Sequence, residues 1–119
     1  GDLELQVDWG YAPEFMGAAW NIMQLDKPND FVICTGEVHS LEDFLKEAFN
    51  VVGLDYLKYV KINPQLVRKS KTSTLRGDYS KATNAFGFEP KVKFKEIVKK
   101  MVENDLMEIE KNGQPKKSV

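Results

Sequence analysis

"DFVICTGEVHSLEDFLKEAFNVVG", Asp30 to Gly53, sets two hydrophobic periods end to end. Phe31–Thr35 is a short apolar run bounded by turn residues, which predicts a buried strand. From Ser40 the pattern changes. Ser40 is a good N-cap, and Asp43 three residues on completes a capping-box-like pair. Leu41, Phe44, Leu45, Ala48, Phe49 and Val52 then recur at spacings of three and four, giving a helix with one apolar face, and Gly53 supplies its stop.

Upstream, "LELQV" (residues 3–7) alternates as a short strand, Gly10 permits a turn, and Pro13 suits the first turn of a helix. Phe15, Met16, Ala19, Trp20 and Met23 form that helix's apolar face through about Leu25, so Trp9 and Trp20 are both expected in the core. Downstream, "YLKYVKI" (56–62) alternates with period two and predicts a third strand. A basic loop runs from Pro64 to Gly77. Asp78 can cap a short helix, "YSKATNAFG", ended by Gly87, and "FEPKV" is extended because Pro90 disfavours helix before it. Phe94, Ile97, Val98, Met101, Val102, Leu106 and Ile109 line one side of a long helix ending near Gly113. About four helices and three short strands result: a mixed, helix-rich α/β lobe over residues 1–112, with a disordered tail at 113–119.

The chain has 119 residues, one domain's worth, and its 42% hydrophobic and 29% charged content is ordinary for a globular protein. A net charge of −1 conceals an asymmetry: residues 1–55 sum to −9, 56–77 to +6 and 78–119 to +2. The +6 segment suggests polyanion binding, but the chain is not basic overall and the segment has no aromatic residue after Tyr59, which argues against nucleic acid. Cys34 is the single cysteine, so neither an intrachain disulfide nor a cysteine-based zinc site can form, and a buried, inert thiol is expected. A reducing cytoplasm fits this usage. No apolar run approaches the roughly 20 residues needed to span a membrane.

Catalytic signatures are absent from the sequence. There is no glycine-rich dinucleotide loop, P-loop or nucleophile elbow. His39 is the only histidine, so no histidine-based triad or histidine-pair metal site can be assembled. No catalytic residue is assigned.

Several markers nevertheless recur in a characteristic order: Asp8-Trp9-Gly10, Thr35-Gly36-Glu37 followed by His39-Ser40, Gly77-Asp78 with Lys81-Ala82, and Phe88-Glu89-Pro90-Lys91. In that order and spacing, from about Gly1 to Leu106, the chain resembles the C-terminal portion of GDP-mannose 4,6-dehydratases. These are extended short-chain dehydrogenase/reductase enzymes acting on nucleotide sugars. The resemblance implies a small C-terminal substrate-binding lobe, partnered by an upstream Rossmann domain that binds NADP and carries the catalytic residues. No cofactor is then expected on this segment. Its ligand would be a nucleotide sugar such as GDP-mannose, converted to GDP-4-keto-6-deoxymannose.

The same resemblance implies substrate-binding roles for Arg68, Lys71 and Asp8. The family carries an Arg-Pro-x-Glu motif where this chain has Arg68-Lys69-Ser70-Lys71. The guanidinium fork of an arginine suits a diphosphate. A glutamate would accept from ribose hydroxyls, which Lys71 cannot do, although it can add positive charge near phosphate. Val7 stands where the family has an arginine before Asp-Trp-Gly. The alternative reading is a non-catalytic remnant or interaction domain with altered or lost ligand binding. For Asp8, helix capping explains an aspartate as well as a ligand role does.

Overall fold

The structure is a computed structural model that describes residues 2–66 and 74–113. Over these residues the order is β1 (Gln6–Val7), α1 (Ala12–Met23), β2 (His39–Ser40), α2 (Leu41–Val51), 3-10 turns at Tyr56–Lys58 and Pro64–Leu66, α3 (Ser80–Phe86) and α4 (Phe94–Asn112). The class is the mixed, helix-rich one expected, with a smaller sheet. β1 and β2 form a two-residue antiparallel ladder in which Gln6 faces Ser40 and Val7 faces His39.

α2 starts as its sequence dictates. Ser40 accepts from the Asp43 amide at 3.0 Å, and the Asp43 carboxylate accepts from the Ser40 amide at 3.0 Å. These two bonds hold the Asp43 carboxyl below its ordinary range. Gly53, at φ 68°, lets the chain leave the helix.

α1 opens with Pro13 in its first turn. Glu14 turns inward, where its carboxylate accepts from the Lys91 and Val92 amides at 3.1 and 3.2 Å. Ala18 of α1 packs on Ala82 and Phe88, with Phe15, Phe31, Ile33, Tyr79 and Phe86 around them. A second aromatic group joins α2 to α4: Trp9 lies 4.8 Å from Phe44, and Phe94 meets both Phe44 and the His39 ring. Phe94, Ile97 and Val98 bury the first turns of α4. Removing such side chains from water is worth about 1.5–3 kcal/mol each.

Four local expectations are corrected. Phe31–Thr35 is apolar and without helix, but it pairs with no strand among the described residues. Tyr56–Lys58 is a 3-10 turn, capped by the Asp55 carboxylate on the Leu57 amide, because its alternation has no wholly apolar face to bury. Trp20 is not core: it is 63% exposed, on the side of α1 away from Ala18. Met101, Leu106 and Ile109 are exposed as well, since the buried residues of α4, Phe94, Ile97 and Val98, all lie in its first turns. The tail expected at 113–119 lies, from Gln114 on, outside the described residues.

Candidate functional site

The site is built around one aspartate. Asp8 Oδ1 accepts from the Thr35 amide at 2.8 Å and from the Thr35 hydroxyl at 2.6 Å, while Oδ2 accepts from the Gly36 amide at 2.9 Å. Thr35 is buried, so these bonds satisfy polar groups that water cannot reach. Gly36 takes φ 73°, a conformation for which a side chain would be strained, and the chain turns there into Glu37. The Thr35 hydroxyl also accepts from the Glu37 amide at 3.2 Å.

A third segment closes on this clasp. Thr74 Oγ1 donates to Gln6 Oε1 at 3.2 Å, and Arg76 Nε donates to the Gly36 carbonyl at 2.5 Å. Gly77 then passes over Cys34 so closely that a Cβ there would lie 2.4 Å from Sγ and 2.5 Å from Cβ. Only glycine permits that approach. Burial is the main force raising the Cys34 thiol above its ordinary pKa, and the Asp8 carboxylate adds to it. The thiol is therefore a packing group, as expected from its sequence setting.

Between these segments lies an open cleft of about 580 Å³, lined by Gly36, Arg76, Asp78, Tyr79, Ser80 and Asn84 among others. A shallower depression of about 390 Å³ continues it past Glu37 and His39, and the two share Gly36 and Arg76. Asp78 accepts from the Ser80 amide at 2.8 Å, which holds its carboxyl below the ordinary range and tethers the start of α3. The cleft wall thus carries hydroxyl, amide, guanidinium and carboxylate groups beside the Tyr79 ring, suited to a polar ligand.

His39 is held by packing in this geometry. Its ring stacks on Phe94 at 3.9 Å and 9°, its carbonyl accepts from Trp9 Nε1, and Nε2 has no hydrogen-bond partner among the described residues. Glu37 lies 3.8 Å from it and is itself 3.3 Å from Lys93. No cluster of metal-ligating side chains occurs among the described residues, and no helix there is long and apolar enough to cross a membrane.

Of the three candidate ligand residues, Asp8 lies at the centre of the clasp. Arg68 and Lys71 lie outside the described residues. Arg76 is exposed, and its side chain ties the end of the basic segment to the Gly36 turn. Its place directly before Gly77-Asp78 was the available signal.

The clasp brings the Asp8-Trp9-Gly10, Thr35-Gly36-Glu37 and Gly77-Asp78 markers to one place. A family model described as GDP-mannose 4,6 dehydratase matches residues 1–101. The chain belongs to that family. Its relatives include GDP-mannose 4,6 dehydratase 2 of Arabidopsis thaliana, 40% identical over 89% of this chain and 28% of the relative. GDP-mannose 4,6 dehydratase of Homo sapiens is 32% identical over 89% of this chain and 33% of the relative. The chain therefore spans about a third of the length of these members of the GDP-mannose 4,6-dehydratase family.

Solved structures agree on the fold. RMD from Pseudomonas aeruginosa, complexed with NADPH, superposes with a TM-score of 0.74 at 13% identity, over 87% of this chain and 34% of that one. dTDP-glucose 4,6-dehydratase from Bacillus anthracis, in complex with NAD, gives 0.75 at 18%, over 94% and 33%.

Proposed function

We propose that residues 1–112 are the nucleotide-sugar-binding lobe of a GDP-mannose 4,6-dehydratase-like enzyme that makes GDP-4-keto-6-deoxymannose. The parent protein would be a cytoplasmic lyase. The observation that carries this reading is the clasp itself: three family markers, distant in sequence, meet at one polar cleft. A Rossmann domain in the remainder of the protein would hold NADP, which supplies hydride acceptance and return. This chain's part is to bind and orient. Arg68 forks onto the diphosphate, and Lys71 adds charge beside it. Asp8 acts as a positioning residue, because its carboxylate fixes the Gly36 turn to which Arg76 is tied.

The departure at Lys71 favours a second reading, a non-catalytic domain of the same fold. A chimera separates the two. Residues 1–106 replace the aligned segment of the Arabidopsis relative, and GDP-mannose binding and 4-keto product are measured. The enzyme reading expects both, with Arg68→Ala weakening binding by about 1.5–3 kcal/mol, the worth of a hydrogen bond to a charged group. A folded chimera that binds nothing, and recovers binding with Lys71→Glu, would establish the remnant.

A further inference from the structure

Arg76 is held at one edge and open at the other. Its Nε donates to the Gly36 carbonyl, which ties the guanidinium to the Gly36 turn. That turn is itself set by the Asp8 carboxylate on the Thr35 and Gly36 amides, and Gly77, close against Cys34, fixes the backbone beside Arg76. The terminal nitrogens, Nη1 and Nη2, carry the remaining N–H donors and make no hydrogen bond to a described residue. A guanidinium oriented in advance loses less freedom when its planar fork engages an anion.

A second observation is the pattern of charge around it. The 580 Å³ cleft and the 390 Å³ depression meet at Gly36 and Arg76, so the guanidinium stands at their junction. Each side carries one carboxylate, and both are engaged elsewhere. In the larger cleft Asp78 accepts from the Ser80 amide at 2.8 Å. In the smaller depression Glu37 lies 3.3 Å from Lys93 and 3.8 Å from His39. Among the described residues no carboxylate forms an ion pair with Arg76. The sequence of charge across the junction is therefore negative, positive, negative, with the positive centre uncompensated.

We infer that Arg76 is an anion-binding residue of this cleft, its Nη fork taking the phosphate oxygens of a ligand whose neutral arms extend into the depressions on either side. The inference rests on the functional reading above and adds Arg76 to the residues that hold the diphosphate. A nucleotide sugar has the matching form: charge in the middle, hydroxyl-bearing arms at both ends. Ser80, Thr83 and Asn84 can exchange hydrogen bonds with one arm, and the Glu37 carboxylate can accept from hydroxyls of the other. The same flanking carboxylates repel a ligand whose negative charge continues past the junction, so the site selects an internal diphosphate over a terminal chain of phosphates. Free pyrophosphate shares the central chemistry and lacks the arms.

The test is calorimetric titration of GDP-mannose, and separately of inorganic pyrophosphate, into the Arabidopsis chimera and its Arg76→Gln version. Glutamine keeps an N–H for the Gly36 carbonyl and removes the charge and the fork. Arg76→Gln should weaken both ligands by about ten- to a hundredfold, as loss of hydrogen bonds to a charged group does. Its thermal unfolding midpoint should match the parent's, and its residual binding should depend less on salt. Parent-like affinity for GDP-mannose in Arg76→Gln would overturn the inference and leave the functional reading intact. Weaker binding that keeps the parent's salt dependence and comes with a lower midpoint would also overturn it, since Arg76 would then only brace the Gly36 turn. Pyrophosphate bound through Arg76, with no binding of GDP-mannose, would defeat the functional reading and leave the anion site standing. A folded parent chimera that binds neither would defeat both.

Discussion

The Asp8 clasp and the outer face of α1 are neighbours in sequence and opposites in physical completeness. At the clasp, buried amides and a buried hydroxyl all find acceptors within the chain. On α1 and along Phe31–Cys34, apolar side chains and backbone groups meet no partner among the described residues. The difference separates groups whose burial requires a partner within the chain from groups left exposed. A buried polar group must be satisfied locally or the fold loses several kcal/mol, whereas an exposed methionine costs little until it is covered.

The strongest way to break this contrast is Asp8→Ala. It strands the Thr35 and Gly36 amides together, so chemical denaturation of the chain should show a loss of about 3 kcal/mol or more. A loss below 1 kcal/mol would mean that the clasp is not what holds these segments. Gly77→Ala comes next. The added methyl would overlap Cys34, and overpacking of this kind costs about 1–3 kcal/mol, visible as a lower midpoint of thermal unfolding.

Ser40→Ala should cost about 1 kcal/mol by opening the capping box. It should also flatten the acid limb of the stability curve. Asp43 has a folded pKa depressed chiefly by the Ser40 amide, then by the Ser40 hydroxyl, so its contribution is present above the unfolded value near about 4 and is lost as pH falls through the folded value. Glu42, held down chiefly by the Tyr56 hydroxyl, and Asp78, held down by the Ser80 amide, act in the same direction. Equilibrium unfolding between pH 2 and 6 would reveal a Ser40→Ala slope shallower than the parent's; identical slopes would remove the cap from the account.

Trp20→Lys is the smallest effect. In the chain alone it should change stability by less than about 0.5 kcal/mol, as surface replacements do. A larger loss would place Trp20 inside the fold and sharpen the comparison in the other direction.

Much of the fold was legible where one pattern had one physical solution. The α2 face from Leu41 to Phe49, its Ser40–Asp43 cap and the glycine stops at Gly53 and Gly87 all appear where spacing put them, because capping and left-handed glycines are local requirements. Legibility failed where periodicity was shared. The α1 sequence has apolar residues on both sides, and spacing could not say whether Trp20 or Ala18 faced inward. "YLKYVKI" alternated like a strand but had no sheet to join. The site was legible only as separate markers: Asp8 could be noticed, but its partners stand 27 and 28 residues away.

The amino-acid sequence by itself determined where the helices begin and stop, the single inert thiol, the charge asymmetry and the family to which the markers belong. These depend on neighbours a few residues apart or on the order of motifs. Only the tertiary structure decided that Asp8 clasps Thr35 and Gly36, that Gly77 must remain bare against Cys34, and that α1 turns Met16, Trp20 and Met23 outward. Each of those is set by which distant segment arrives to fill or leave a space, and no local pattern encodes the arrival.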